Sequence, residues 1–222
     1  MIGIICVTGI ARVGKDTIMR NTAKVINDKF KAENKPVFHE IIDTSAIAKK
    51  VFSEYICNNT EKDSMYRNSL VEFINIQEMY DVRFPQIIAE MFETLNGTSG
   101  LSPNGSRNTF FFVNVREPSA IARYYEFTKV MGWTFTELII ESNNKDSGSN
   151  TVVDRTDIDY FKNSLNAGID ESNIMILHND FDKADADYTC MLADVCEEAA
   201  NFILSQKPEL DWYSAYVNDT EE

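Results

Sequence analysis

The sequence has few residues of the kinds that build metal sites or disulfide frameworks. Its 222 residues include four cysteines and two histidines, and no two cysteines form a CxxC pair. Structural zinc sites need closely spaced Cys or His ligands, so this class of site is excluded. Free thiols, most of them buried, are expected at all four cysteines: Cys6, Cys57, Cys190 and Cys196.

Long apolar runs are also missing. No stretch of about 18 consecutive apolar residues occurs, and the first residues do not form a basic segment followed by a long apolar one. The sequence therefore predicts a soluble, cytoplasmic protein with no membrane partner.

Positive charge is scarce as well. The chain has 21 Lys and Arg against 35 Asp and Glu, a formal net charge of −14. Such an exterior repels nucleic-acid backbones, which excludes polymeric nucleic acid as an expected partner. A small phosphorylated ligand remains compatible, because a few local basic side chains and a helix N-terminus can form a positive pocket inside an acidic shell.

Apolar segments of strand length alternate with segments of helical periodicity along the chain. This alternation predicts an α/β fold, with a parallel five-stranded sheet covered by helices on both faces in three layers. The predicted strands are Ile2–Thr8, Val37–Ile42, Phe110–Val115, Phe135–Glu141 and Asn173–Leu177. The predicted helices are Lys15–Phe30, Ser45–Phe52, Ser64–Ile76, Phe84–Leu95, Pro118 to Gly132 and Tyr188–Ser205, and a loop is predicted for Asn96–Asn108.

A glycine-rich segment lies directly between the first predicted strand and helix. Gly9 and Gly14 are separated by four residues, and Lys15 follows. Glycines let a backbone curl around phosphates, and a lysine at a helix start can reach the β- and γ-phosphates of a nucleotide. The usual Ser or Thr after the lysine is Asp16, and the hydroxyl is displaced to Thr17. The segment predicts an ATP-binding phosphate loop (P-loop), and the alternative is a glycine turn with a solvated lysine.

The motif Gly-Lys-Asp-Thr, with Arg12 inside the loop, resembles the motif of two P-loop families: phage deoxynucleoside monophosphate kinases and animal-type phosphomevalonate kinases. The resemblance covers mainly Ile2–Arg20, with a weaker match at Asn114–Arg116, where the phage kinases tend to carry Asp-Val-Arg. It implies a P-loop kinase fold with ATP and Mg²⁺ as cofactors. The residues implied to bind ATP are Gly9, Ala11, Arg12, Val13, Gly14, Lys15, Asp16 and Thr17, with Asp16 and Thr17 also at the metal.

Two residues at the end of the third strand are relevant to the acceptor and the metal. The resemblance implies that Arg116 contacts the phosphate that receives the γ-phosphoryl group, and the alternative is a salt bridge with Glu117. Asn114 departs from the family pattern, because it offers a neutral oxygen of weaker metal affinity than a carboxylate. Asp16 is therefore expected to take more of the metal-binding role, or simply to favour the start of the helix.

Four further residues are candidates for the reaction. Arg67 and Arg83 are candidates for binding the acceptor, although each is also typical of an ordinary surface arginine. Arg155, in a polar segment rich in Gly, Ser and Asn, is a catalytic candidate on a mobile cover over the phosphates. Asp43 ends a strand, where it could touch the acceptor or, as the stronger alternative, cap the next helix.

Two further groups of side chains could contact a nucleotide but also have ordinary structural interpretations. His178, Asn179 and Asp180 follow the last strand, where related kinases place a loop beside adenine, but a polar turn explains them equally. Tyr66, Tyr80 and Phe84 could stack on a base, although aromatics at helical spacing are usually core residues.

These features predict an ATP-dependent kinase of a nucleoside or deoxynucleoside monophosphate. One domain over residues 1–206 is expected, with a helical acceptor-binding insertion at about 44–108, a flexible lid at about 142–157 and an acidic tail at 207–222. The alternatives are a kinase of another small phosphorylated metabolite, such as phosphomevalonate, and a non-catalytic nucleotide sensor. The expected partner is the small phosphate acceptor, and a homodimer is left open.

Overall fold

The computed structural model describes most of the chain. The described residues are 1–9, 13–44, 49–50, 52–56, 66, 68–70, 72–73, 76, 83–99, 108–115, 118–142, 159–180 and 187–208. Within them the strands are β1 (Ile2–Thr8), β2 (Val37–Asp43), β3 (Asn108–Asn114), β4 (Thr134–Glu141) and β5 (Ile174–His178). The α-helices with defined bounds are α1 (Lys15–Ala32), α2 (Arg83–Ser99), α3 (Pro118–Met131), α4 (Tyr160–Asn166) and α5 (Tyr188–Ser205).

The five strands form one sheet in the order β2-β3-β1-β4-β5, and every adjacent pair is parallel. Strand β1 lies at the centre, where Cys6 is in register with Val113 of β3 and with Glu137 of β4. A sheet of parallel strands needs both faces covered, which explains why its strands are near-continuous apolar runs. The predicted parallel, five-stranded α/β architecture is confirmed.

Side chains that alternate along each strand enter two separate cores. In β1, Ile4 and Cys6 face the core formed with α2, α3 and α4, whereas Ile5 and Val7 face the core formed with α1 and α5. Successive side chains of a strand point to opposite faces, so one short strand contributes to both layers. The result is a three-layer arrangement of helices, sheet and helices.

Where both ends of an element are described, its boundaries agree with the sequence to within a few residues, except in two places. Most of the predicted helix Ser45–Phe52 lies outside the described residues. Helix α2 continues to Ser99, so the predicted loop at 96–99 is wrong, and residues 100–107 lie outside the described part. Asn96 and Gly97 are exposed in the last turn, where weak helix formers cost little because that turn packs little. Helix α4 was not predicted, because Tyr160–Asn166 is too short to show a helical period.

The region between β2 and α2 is described only in part. Phe52–Ile56 forms one π-helical turn, and the described residues among 66–76 are helical, in agreement with the prediction there. Of the described cysteines, Cys6 and Cys196 are buried and Cys190 is exposed, and all three are free thiols. No helix of the described residues is long and apolar enough to cross a bilayer.

Candidate functional site

The carboxyl ends of β1 and β3 mark a switch point in the sheet. These neighbouring strands are paired in parallel, yet the helix that follows β1 packs on one face and the helix that follows β3 packs on the other. Chain segments leaving neighbouring strands in opposite directions open a crevice, and open α/β sheets bind their ligands there. The predicted phosphate loop leaves β1 at this crevice.

Two glycines of segment 9–17 occupy positions that other residues would strain. Gly9 has a φ of 129°, and a Cβ there would stand 2.3 Å from the carbonyl oxygen of Ile140 in β4. Gly14 has a φ of 87° and is the N-cap of α1. Left-handed backbone and close approach to a neighbouring strand both require the absence of a side chain. The glycines therefore fit a tight loop that joins the strand to the helix.

Lys15 is the first residue of α1, and its side chain folds back over the loop. It is 6% exposed, and its Nζ donates a hydrogen bond of 2.7 Å to the carbonyl oxygen of Gly9. A buried ammonium group needs such oxygen partners, since burial without them is costly. This contradicts the alternative of a solvated lysine, and it holds the positive charge against the loop.

The start of α1 directs backbone donors toward the same loop. The first intrahelical hydrogen bonds run from the amides of Thr17 and Ile18 to the carbonyl of Gly14, at 3.0 Å each. The amides of Lys15 and Asp16 therefore point out of the helix end. Together with the dipole of an 18-residue helix, they favour an anion at this position.

Asp16 and Asn114 meet across the crevice. The Asn114 side-chain nitrogen lies 3.5 Å from Asp16 Oδ1, and Asn114 Oδ1 is buried with no hydrogen-bond partner among the described residues. Rotation of the amide by half a turn would place that oxygen beside the carboxylate. A carboxylate and an amide oxygen at this distance suit a hard cation.

Mg²⁺ fits these residues only in company with a ligand. No group of three or more His, Cys, Asp or Glu side chains in the described residues could hold a metal ion alone. Mg²⁺ in nucleotide sites is typically held by one or two protein oxygens together with phosphate oxygens and water. Asp16, with Thr17 and Asn114 beside it, matches that kind of partial site.

Arg83, the first residue of α2, is buried, at 4% exposed. It lines a cavity of about 10 Å³, which has room for one water molecule. The interpretation of Arg83 as an ordinary surface arginine is therefore wrong. The cavity is too small for a phosphorylated acceptor, so such a ligand requires movement of its walls, which are Thr44, Arg83, Phe84, Ile87, Val115, Ala120 and Tyr124.

The ends of β2 and β3 are tied together beside this cavity. Thr44 donates its hydroxyl hydrogen bond to the carbonyl oxygen of Asn114 at 2.7 Å, and Val115 extends the pairing of β3 with β1 through a 3.1 Å bond to Val7. Asp43 forms an ion pair with Lys49 at 3.1 Å, and both side chains are about half exposed. Thr44 and Val115 are thus fixed to the strand ends, so any widening of the cavity falls to its helical walls.

Several predicted site residues lie outside the described part of the chain: Ala11, Arg12, Arg67, Arg116 and Arg155, together with Tyr80. The aromatic candidates that are described pack against other side chains. Tyr66 contacts Phe52 edge-on at 5.3 Å between ring centroids, and Phe84 packs on Tyr124 at 5.0 Å. The interpretation of these two rings as packing residues is supported.

Two residues that the sequence did not assign to the site hold the loop from outside. Asn179, directly after β5 and 6% exposed, donates its side-chain amide to the carbonyl oxygen of Val13 at 2.6 Å. Tyr160 of α4 directs its hydroxyl at the carbonyl oxygen of Gly9 at 3.5 Å. The neighbouring His178 is exposed, with its Nδ1 4.0 Å from Glu141, so it does not join this group.

A buried carboxyl lies behind the loop. Glu137 of β4 is 0% exposed, and its Oε1 accepts a 3.3 Å hydrogen bond from Thr8, the last residue of β1. Burial raises the pKa of Glu137 to about 7, although the hydrogen bond from Thr8 acts in the other direction. Burial and the nearby Glu137 together raise the pKa of the Cys6 thiol. One signal could have found Glu137: an acid inside an otherwise apolar strand.

Comparisons of the chain with protein-family models and with curated proteins find no match. The assignment of a function therefore depends on the residues described above.

Proposed function

We propose that this protein is an ATP-dependent kinase that transfers the γ-phosphoryl group to a nucleoside or deoxynucleoside monophosphate. One observation carries the proposal. Gly14, in left-handed conformation, begins α1 at a switch point of the sheet, and the buried Lys15 lies with its Nζ 2.7 Å from the Gly9 carbonyl. Backbone amides, a helix dipole and a lysine then converge on one loop, which is the arrangement that binds nucleotide phosphates.

The acceptor is proposed to bind at the ends of β2 and β3. Arg83 is buried beside Val115, the residue before Arg116. A guanidinium can grip a phosphate with two parallel hydrogen bonds, so two arginines here would favour an acceptor that carries a phosphate. In this proposal Arg83 and Arg116 bind the acceptor phosphate, and Asp43 and Arg67 are further candidates for binding the acceptor.

The reaction needs positioning and positive charge more than covalent catalysis. An oxygen of the acceptor phosphate forms a bond to the γ-phosphorus while the bond to the β,γ-bridging oxygen breaks and ADP leaves. The second pKa of a phosphate monoester is about 6, so the attacking oxygen is largely ionised at neutral pH and needs no general base. Lys15, Arg116 and Arg155 are proposed to stabilise the charge on the transferring group. Mg²⁺, held beside Asp16 and Thr17, would supply further charge neutralisation.

Two alternatives remain distinct from this proposal. A kinase of another phosphorylated metabolite, such as phosphomevalonate, would use the same loop and the same arginines with a different acceptor. A nucleotide sensor would use the loop without any transfer. The loop itself does not separate the three, whereas the buried Arg83 on the acceptor side favours a kinase. A cytoplasmic location fits an enzyme that uses ATP, and a homodimer is left open.

ADP release measured across a panel of acceptors separates these functions. The panel holds the common ribo- and deoxynucleoside monophosphates and phosphomevalonate, each at saturating Mg²⁺ and ATP. The proposal predicts that at least one nucleotide raises ADP release well above the rate without acceptor. A rise with phosphomevalonate alone would identify the alternative kinase, and nucleotide binding with no acceptor-dependent release would identify a sensor.

A further inference from the structure

Asn179 occupies an unusual position for a polar residue in a turn. It is 6% exposed, and its backbone N–H continues the pairing of β5 with β4 through a 2.8 Å bond to the carbonyl of Glu141. The backbone of Asn179 is therefore fixed to the sheet independently of its side chain. That side chain reaches the loop after β1, which is 166 residues away in sequence.

The side-chain amide of Asn179 fixes the orientation of one peptide group of the loop. Its nitrogen donates to the Val13 carbonyl at 2.6 Å, and the Val13 side chain is itself fully buried. In a trans peptide the C=O and the following N–H point in opposite directions. A carbonyl held toward Asn179 therefore turns the Gly14 N–H away from it.

The same amide also occupies the space beside Gly14. A Cβ at residue 14 would stand 2.3 Å from the Asn179 side-chain nitrogen. Gly14 has no side chain, and the side-chain amide of Asn179 fills the space beside it. The same amide orients the peptide group between Val13 and Gly14. The contact is short and buried, and it joins the end of β5 to the start of α1.

We propose that Asn179 is a positioning residue for nucleotide binding: by holding the Val13 carbonyl, it presents the Gly14 N–H to the phosphates of ATP. This inference rests on the proposed function. Asn179 touches no phosphate in this account and acts through the peptide between Val13 and Gly14. A preset backbone donor costs no reorganisation when the ligand arrives, and one well-placed donor changes binding or rate by about 10²-fold.

Three substitutions separate donation from packing. Asn179→Asp keeps the shape but replaces the N–H donor by an oxygen that faces the Val13 carbonyl. Asn179→Ala removes the side chain. Asn201→Asp is the matched control, because it adds the same charge at an exposed position in α5. All three proteins are first compared with wild type by circular dichroism and thermal melting.

Binding of Mg·ATP and steady-state kinetics give the main readout. At about pH 7.5, Asn179→Asp and Asn179→Ala are expected to weaken ATP binding about tenfold or more and to raise the KM for ATP, with the KM for the acceptor unchanged. Asn201→Asp is expected to match wild type. ATP binding by folded Asn179→Asp within about twofold of wild type would overturn the proposal.

A pH series tests the hydrogen bond itself. A protonated aspartic acid can donate to the Val13 carbonyl, and a carboxyl facing a carbonyl gains its proton more readily. Lowering the pH to about 5.5 is therefore expected to restore part of the lost affinity in Asn179→Asp, relative to wild type at the same pH, and none in Asn179→Ala. Equal behaviour of both variants would contradict donation as the cause.

Amide hydrogen exchange distinguishes failure of this inference from failure of the proposed function. If wild type binds no ATP, the proposed function is wrong, but the loop contact can still be measured without ligand. Exchange in the peptide covering Gly9–Thr17 is expected to be faster in Asn179→Asp than in wild type and in Asn201→Asp. Equal exchange in all three proteins would show that Asn179 does not hold the loop.

Discussion

At the scale of single residues, Lys15 places a buried positive charge directly against the predicted phosphate loop. Replacing it by Met removes one ammonium group and one hydrogen bond to the Gly9 carbonyl but keeps the length of the side chain. We expect Lys15→Met to abolish phosphoryl transfer, because the lysine supplies charge to the phosphates, and to leave the fold intact. The measurement is acceptor-dependent ADP release together with thermal melting.

The matched control is Lys24→Met, which removes an exposed lysine on the same helix. It should retain wild-type turnover. Near-normal turnover in folded Lys15→Met would rule out the kinase assignment.

Asp16 is the residue whose replacement is expected to change the Mg²⁺ requirement of the reaction. The neutral side chain of Asn114 lies at the end of β3, and its nitrogen lies 3.5 Å from Asp16. We expect Asp16→Ala to raise the Mg²⁺ concentration needed for half-maximal turnover, because the only carboxylate of this pair is lost. A Mg²⁺ titration at fixed ATP measures it. An unchanged titration would leave Asp16 with only a favourable position at the helix start.

Arg116 is expected to act on the acceptor rather than on ATP. It follows Val115, which is buried beside the cavity that Arg83 lines. We predict that Arg116→Ala lowers turnover at saturating ATP by about tenfold or more with little change in ATP binding, and that Arg116→Lys recovers acceptor binding better than rate. Turnover and ATP binding are measured on the same preparations. Loss of thermal stability with normal turnover would instead support a salt bridge with Glu117.

At the scale of elements, β4 carries a carboxyl whose protonation couples to folding. The pKa of Glu137 rises from an ordinary value of 4.5 to about 7 because the side chain is buried. The folded protein therefore binds this proton more tightly than the unfolded chain. The contribution of Glu137 to the free energy of unfolding is present below about pH 4.5, falls as the pH rises to about 7, and is then constant.

Glu137→Gln removes this dependence. Relative to wild type, the variant is expected to gain stability between pH 5 and pH 8, by up to about 3 kcal/mol. Urea unfolding at both pH values measures the difference, and Glu198→Gln, at an exposed position of α5, is the control. A difference between Glu137→Gln and wild type that does not change with pH would show that Glu137 has an ordinary pKa.

The elements of the sheet were predictable because each leaves a local signal. A buried parallel strand is a short apolar run, and Phe110, Phe111 and Phe112 are all fully buried as that pattern indicates. Pro118 begins α3 as the fixed φ of proline favours. Helix α5 has the predicted bounds, Tyr188–Ser205. Predictions from such patterns need only neighbouring residues.

The outer contacts of the loop were not predictable for the opposite reason. Tyr160 reaches Gly9 across 151 residues of sequence, and Asn179 reaches Val13 across 166. From sequence, Asn179 fits either a polar turn or a loop beside adenine, and nothing adjacent to it in sequence indicates a distant carbonyl. Arg83 likewise shares its cavity with Thr44, Val115 and Tyr124, which are distant from it in sequence.

At the scale of the whole molecule, an acidic protein is proposed to bind two anions in one crevice. The net charge of −14 opposes them at long range, but screening limits this effect to about 10 Å at ordinary salt. Close to the crevice the buried Lys15, the buried Arg83 and the start of α1 supply positive charge, to which a bound Mg²⁺ would add. The crevice lies where helices leave for opposite faces, so the fold itself brings these charges together.

Transfer of labelled phosphate tests the central claim most directly. The protein is incubated with Mg²⁺, [γ-³²P]ATP and the acceptor that gives the highest ADP release, and the products are separated by thin-layer chromatography. The account predicts that label lost from ATP appears in the nucleoside diphosphate formed from that acceptor, and that Lys15→Met forms none. Label recovered only as inorganic phosphate, at the same rate with and without acceptor, would contradict the assignment of this protein as a kinase.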